Sequence, residues 1–175
     1  MRCRIEWSRW VEVMIIMGVD PGTAITGYGV VKLEDNRHIA LGYGAIRTPA
    51  NQCTSSRLET IYEGLTDLIA EFNPDCLAVE ELFFNKNVAS ALAVGQARGV
   101  AILAGAHAGL TVSEYTPLQV KMAVTGYGKA SKEQVAYMIK MLLGLAEAPK
   151  PDDVTDALAI CVCHGHNANN WGRVQ

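Results

Sequence analysis

The sequence predicts an α/β domain built on a mixed sheet with helices on both faces. Two observations carry this fold class. Extended apolar runs fill the first part of the chain, and past residue 50 the hydrophobic period shifts to steps of three and four. From there, helical and short apolar segments alternate to the C-terminus, which is the order of a sheet begun by hairpins and completed by βα units. The length agrees: 175 residues suit one domain with a real core, and no linker rich in Pro, Ser or Gly divides the chain.

Residues 14–20 (MIIMGVD) form the first strand, stopped by the turn dipeptide Pro21-Gly22. Residues 26–33 and 38–48 read as two further strands joined through Glu34-Asp35-Asn36-Arg37, making a three-stranded antiparallel meander. Leu58, Ile61, Tyr62, Leu65, Leu68, Ile69 and Phe72 then mark an amphipathic helix. Thr54, Ser55 or Ser56 is its expected cap, with Glu59 completing a capping box from Ser56. Asn73-Pro74-Asp75 ends it, and residues 76–82 (CLAVEEL) form a short buried strand. A helix rich in small residues spans 88–108, where Gly95, Gly99 and Gly105 permit close packing against a sheet or a partner helix. Residues 110–115 are a fifth strand. Pro117 opens the next helix, at the position where proline is tolerated. A loop over 126–130, a helix from Ser131 to about Gly144, and a last helix from Asp152 or Asp153 complete the order.

Composition narrows the function classes. Half the residues are hydrophobic and the net charge is −3, which argues against disorder. The longest uncharged stretch, 99–113, contains His107 and is too short to cross a bilayer. Glu6 and Glu12 interrupt any apolar core of a signal peptide. Five irregularly spaced cysteines suit free thiols in a reducing compartment, so a cytoplasmic protein without a membrane anchor is expected. Charge is unevenly spread. Between Leu82 and Ala146 the bases Lys86, Arg98, Lys121, Lys129, Lys132 and Lys140 face only Glu114 and Glu133, while the rest of the chain is acidic. Such blocks can set an acidic site beside a basic surface, although solvated helix faces give the same pattern.

The candidate chemistry lies in carboxylates placed where they are costly. Asp20 ends an apolar strand and Glu80 sits inside another, and an unpaired carboxylate near a core is unfavourable. Asp153 and Asp156 share one face at the start of the last helix. Turn formation, ion pairing or helix capping explains each position singly. Convergence of all four would require cations, and hard oxygen ligands suit Mg²⁺ or Mn²⁺. Two such ions can activate water and stabilise the leaving oxygen in phosphodiester cleavage.

Residues 16–31 (IMGVDPGTAITGYGVV), 77–87 (LAVEELFFNKN), 95–104 (GQARGVAILA), 119–135 (QVKMAVTGYGKASKEQV) and 152–160 (DDVTDALAI) resemble, in the right order, the bacterial Holliday-junction resolvase family RuvC. The resemblance covers about residues 14–164. It implies an RNase H-like fold with a five-stranded mixed sheet, and a homodimer that nicks two strands symmetrically across a four-way DNA junction with Mg²⁺. It further implies action with the RuvA-RuvB branch-migration helicase complex. Carried over position by position, its catalytic, metal-holding acids fall on Asp20, Glu80, Asp153 and Asp156, its base-stacking aromatic on Phe83, and its basic DNA contacts on Lys121 and Lys132, with Lys129 a further candidate. Glu81 adjoins Glu80, but adjacent strand residues face opposite ways. The expected layout is an extension at 1–13, containing Trp7 and Trp10, a nuclease domain over 14–166 and a tail over 167–175. Cys161, Cys163, His164 and His166 have the types of a soft-metal cluster, but packing of the last helix already explains their apolar setting.

Two other classes compete. Val19-Asp20-Pro21-Gly22-Thr23 is similar to the first phosphate loop of actin-like and sugar-kinase ATPases, which need two such domains and about twice this length. A protein that binds junctions without cutting them would leave the four carboxylates unexplained.

Overall fold

The computed structural model describes residues 13–81 and 88–171. Its five-stranded sheet has the order β3-β2-β1-β4-β5. β1 (Val13–Asp20) lies at the centre, antiparallel to β2 (Ile25–Glu34) and parallel to β4 (Cys76–Glu80). β3 (Arg37–Arg47) continues the meander on one edge, and β5 (Thr111–Tyr115) runs parallel to β4 on the other. Asp35 and Asn36 make the two-residue turn between β2 and β3 with positive φ at both positions, the backbone twist that a tight hairpin needs.

Period-two alternation divides the core between the two faces of the sheet. Met17, Val19, Val30, Leu77 and Val79 pack under α1 (Thr54–Phe72) and α2 (Val88–His107). Ile16, Val31 and Ala78 pack against α5 (Asp152–Trp171), with α3 (Pro117–Thr125) and α4 (Lys132–Leu142) completing that layer. Gly105 is where α2 meets the sheet, since a Cβ there would lie 2.6 Å from Leu77 Cδ2; Gly99 on the same helix faces open space.

Two local details differ from expectation. α1 begins at Thr54 behind Cys53, which makes no side-chain capping bond, so the Ser56–Glu59 capping box does not form. The helix starts before its apolar run does, and Ser56 lies inside its first turn. Full capping boxes occur instead at Thr116 with Gln119 and at Ser131 with Gln134. α5 runs on to Trp171, into the stretch expected as a tail. Among the described residues no helix is long and apolar enough to cross a membrane.

Candidate active site

The parallel strands β1 and β4 end together, and their last residues are Asp20 and Glu80. In open α/β sheets the carboxyl ends of strands are where ligands bind, because the chain turns away there and leaves a crevice. The turn after Asp20 is braced from three sides. The buried Thr26 donates its hydroxyl to the Gly22 carbonyl at 2.7 Å, Thr48 donates to the Thr23 carbonyl, and Arg57 donates to both Thr48 Oγ1 (2.8 Å) and the Thr23 carbonyl (3.0 Å). Arg98 of α2 holds the end of β4, donating to the Glu80 carbonyl at 3.2 Å while pairing with Glu114. None of these braces was foreseen from the sequence, since ordinary Thr and Arg residues carry no signal of what they will touch.

Glu80 shares a sheet face with Ala78, which belongs to the α5 layer, so its side chain is on the side of Asp156. Glu81 is exposed, its N–H bonded to the Tyr115 carbonyl at 2.8 Å. β4 ends at Glu80, two residues before the strand end that the sequence pattern predicted, so Glu81 lies just past the strand.

Two glycines let α5 bring its acids to this edge. Gly27 stands opposite Asp20 in the β1–β2 ladder, and a Cβ there would lie 2.0 Å from the Asp153 carbonyl oxygen. A Cβ on Gly18 would lie 2.3 Å from the Ala157 carbonyl oxygen. Only bare backbone admits the helix this closely.

The electrostatics show how near the acids are. Burial, then the charges of Glu80, Asp156 and Asp153, push the Asp20 carboxyl up to about 8, with Lys132 opposing. Burial and then Asp156 raise Glu80, against Lys132 and Lys121. Burial likewise raises Asp156, opposed by Lys132, whose Nζ is 3.2 Å from Asp156 Oδ2 and 3.9 Å from Asp152. A cleft of about 260 Å³ beside them is lined by Glu80, Pro117, Val120, Lys121, Lys132, Val135 and Asp156. Of the expected DNA contacts, Lys121 and Lys132 therefore stand with the acids, Lys129 is exposed on the α3–α4 loop, and Phe83 lies outside the described residues.

The donor chemistry fits a hard divalent cation: these are carboxylate oxygens, crowded and partly buried, whose mutual repulsion such an ion would relieve. They are neighbours rather than a closed ligand shell, because among the described residues no three His, Cys, Asp or Glu side chains form a ready metal-holding group. The same holds for Cys161, Cys163, His164 and His166. Cys161 Sγ lies near the Gly29 carbonyl, Cys163 Sγ receives Asn167, His164 bridges Cys76 and Tyr115, and His166 meets the Ala123 carbonyl. Helical rotation scatters them over separate partners.

This sheet order, with helices on both faces, is that of an RNase H-like nuclease. Residues 16–164 match the model of the family described as crossover junction endodeoxyribonuclease RuvC, and the chain belongs to that family. A relative of that description from Desulforamulus reducens is 57% identical over 159 residues, covering 91% of this chain and 98% of the relative. The Thermus thermophilus RuvC structure superposes with a TM-score of 0.84 at 37% identity, covering 90% of this chain and 97% of that one. The T. thermophilus RuvC in complex with Holliday junction substrate gives 0.82 at 35% identity, covering 90% and 96%. The family is one of divalent-metal-dependent nucleases.

Proposed function

We propose that this chain resolves Holliday junctions: it binds a four-way DNA junction and nicks two strands as a divalent-metal-dependent endonuclease in recombination and repair. The observation that carries the reading is the gathering of Asp20, Glu80 and Asp156 at one sheet edge with Lys132 among them, in a chain that superposes on a junction-bound relative.

Asp20, Glu80, Asp153 and Asp156 are the residues to hold the metal, with Mg²⁺ the natural ion, Mn²⁺ a substitute, and two ions per site. When bound, such ions lower the pKa of water and offset charge on the leaving oxygen. The protein's own part is positional. The Thr26, Thr48 and Arg57 bonds fix the turn behind Asp20, and Arg98 fixes the backbone of Glu80. Lys121 and Lys132 present ammonium groups at the cleft to the phosphates flanking the scissile one, and Lys129 extends this contact along the DNA. Such contacts give affinity and register rather than sequence readout. Phe83 stacks on a base at the opened junction centre, a role that rests on the family resemblance.

Paired nicking needs two sites related by a two-fold axis, which a homodimer supplies. We assign its contact to α2, whose Leu92 and Leu103 are exposed beside the open Gly99. RuvA-RuvB is the helicase partner and the cytoplasm the compartment this role requires. The test is magnesium-dependent nicking of a synthetic four-way junction. Glu80→Gln should abolish cutting and keep binding; normal cutting by that protein, with loss in Glu81→Gln, would overturn the assignment of Glu80.

A further inference from the structure

A second cleft opens on the other side of α4, away from the carboxylates. It holds about 390 Å³ and is lined by Thr125, Tyr127, Ala130, Glu133, Gln134, Tyr137 and Met138. Its surface is mostly apolar, and both tyrosines are more than half exposed: Tyr127 at 57% and Tyr137 at 61%. Large apolar surface left in water at two facing elements has a cost unless something covers it.

Tyr127 is held in place. α3 ends at Gly126 with φ 72°, the left-handed conformation, which turns the chain back along the helix. The Thr125 hydroxyl accepts the Tyr127 N–H at 3.1 Å and is within donating distance of the Lys121 carbonyl (2.8 Å) and the Tyr127 carbonyl (3.0 Å). The Tyr127 carbonyl also accepts the Ala130 N–H at 3.1 Å. One hydroxyl thus ties the backbone of Tyr127 to that of Lys121, which lines the carboxylate cleft. Leaving this loop, the chain passes the exposed Lys129 and reaches Lys132 on the carboxylates within the first turn of α4. The two clefts therefore border the same basic segment, which runs from Lys121 through Lys129 to Lys132.

Aromatic walls, an acceptor at the edge and a lysine in the loop suit a nucleotide. Every base has a π-face for stacking, a carboxylate accepts from an exocyclic amine such as N4 of cytosine, and an ammonium meets phosphate. We propose that this cleft is a nucleobase slot for an unpaired base of the bound DNA, with Tyr127 and Tyr137 as stacking walls, Glu133 as the acceptor for an exocyclic amine, and Lys129 for the phosphate of the same nucleotide. The slot rests on the junction-binding reading above and extends the DNA surface beyond the catalytic edge. It favours cytosine or adenine over thymine, which has no exocyclic amine.

The experiment measures fluorescence-anisotropy affinity in chelator, so that no metal supports turnover, for four-way junctions whose centres carry unpaired cytosines, unpaired thymines or abasic sites. The wild-type chain should bind the cytosine junction more tightly than the other two. Tyr127→Ala and Tyr137→Ala should each weaken that binding about tenfold, the scale of one lost base stack, and leave the abasic junction unaffected. Tyr127→Phe should retain affinity, and Glu133→Gln should erase the cytosine–thymine difference. Equal affinities of wild type and both alanine variants, in proteins of native circular dichroism, would overturn the slot while leaving junction binding standing. Equal losses on cytosine and abasic junctions would also overturn it, because the tyrosines would then be touching backbone. A wild-type chain that binds no junction at all would remove both readings at once.

Discussion

The two halves of α5 face the same sheet and bury polar groups at both ends, yet they treat them in opposite ways. In the first turns Asp153 and Asp156 stand beside Asp20 and Glu80, so like charges crowd at a partly buried edge with Lys132 as the counter-charge on Asp156. Two turns further on, His164 bridges Cys76 Sγ at 3.2 Å and the Tyr115 hydroxyl at 2.9 Å, and both of its ring nitrogens are satisfied. Burial holds that histidine below its usual range and pushes the Tyr115 phenol up to about 12, so the group stays neutral. Polar atoms that find partners stabilise a fold; charges that repel one another are poised for something outside it. On the proposed function, one end of α5 is chemical and the other structural, and variants can test the division.

The largest effect should come from the carboxylate end. Asp20→Asn should slow junction cutting by at least about 10²–10³-fold, the scale of losing one transition-state-stabilising group. Measured in chelator near neutral pH, the same variant should melt at a higher temperature than wild type, because burial and then the neighbouring acids penalise ionisation of a carboxyl here and an amide carries no such penalty. A variant that loses activity and stability together would make Asp20 a structural residue and break the contrast.

Next in size is the backbone contact that brings the halves together. Gly27→Ala must move the Asp153 carbonyl, and overpacking of this kind costs about 1–3 kcal/mol. Denaturant melting should show that loss, and cutting should fall further than stability explains, since the acids of α5 shift with the helix. An alanine variant that cuts normally would mean the site tolerates displacement of α5.

At the other end, His164→Ala should take away the Cys76 thiol's partner and one partner of the Tyr115 hydroxyl and open a cavity, costing about 2–4 kcal/mol. Cutting well below the melting temperature should be unchanged. A selective loss of turnover in a folded His164→Ala protein would carry the catalytic end further down the helix than we place it.

How much of this was legible in the sequence follows from what kind of contact each feature needs. Strand period, turn dipeptides and helix caps are local, so element order and the sheet face of Glu80 could be read directly. Asp20 and Glu80 stood out because an acid in an apolar strand has few innocent explanations. The α1 cap differs because Ser56 and Glu59 have the right spacing whether or not the helix has already begun two residues earlier. Arg98, Arg57 and Thr48 act through carbonyls far away in the chain, and no residue type announces which carbonyl it will reach. The slot between Tyr127 and Tyr137 was invisible for the same reason, as it exists only once the α3–α4 loop folds back beside α4.

The smallest expected effect lies at the structural end, where one buried ring nitrogen is unsatisfied among the described residues. His38 of β3 meets His166 of α5 edge-on at 5.0 Å between ring centroids, and its buried Nε2 has no hydrogen-bond partner among the described residues. Burial, then the nearby His166, lowers its pKa from 6.5 to about 4. Between those values the unfolded chain holds more protons at this site than the folded one, so stability should rise with pH through the window and be lost as pH falls from 6.5 to 4. His38 is only partly buried, and solvent screening reduces the expected loss to about 1–2 kcal/mol. His164, also held neutral by burial, titrates in the same direction, so the slope must be assigned by difference. Urea melts of wild type and His38→Gln at a series of pH values provide that difference. The variant's stability should fall less steeply below pH 6.5, and the two curves should run parallel above it. Parallel curves over the whole range would mean that His38 is protonated in the folded chain at no cost, and that this end of α5 tolerates charge as the other end does.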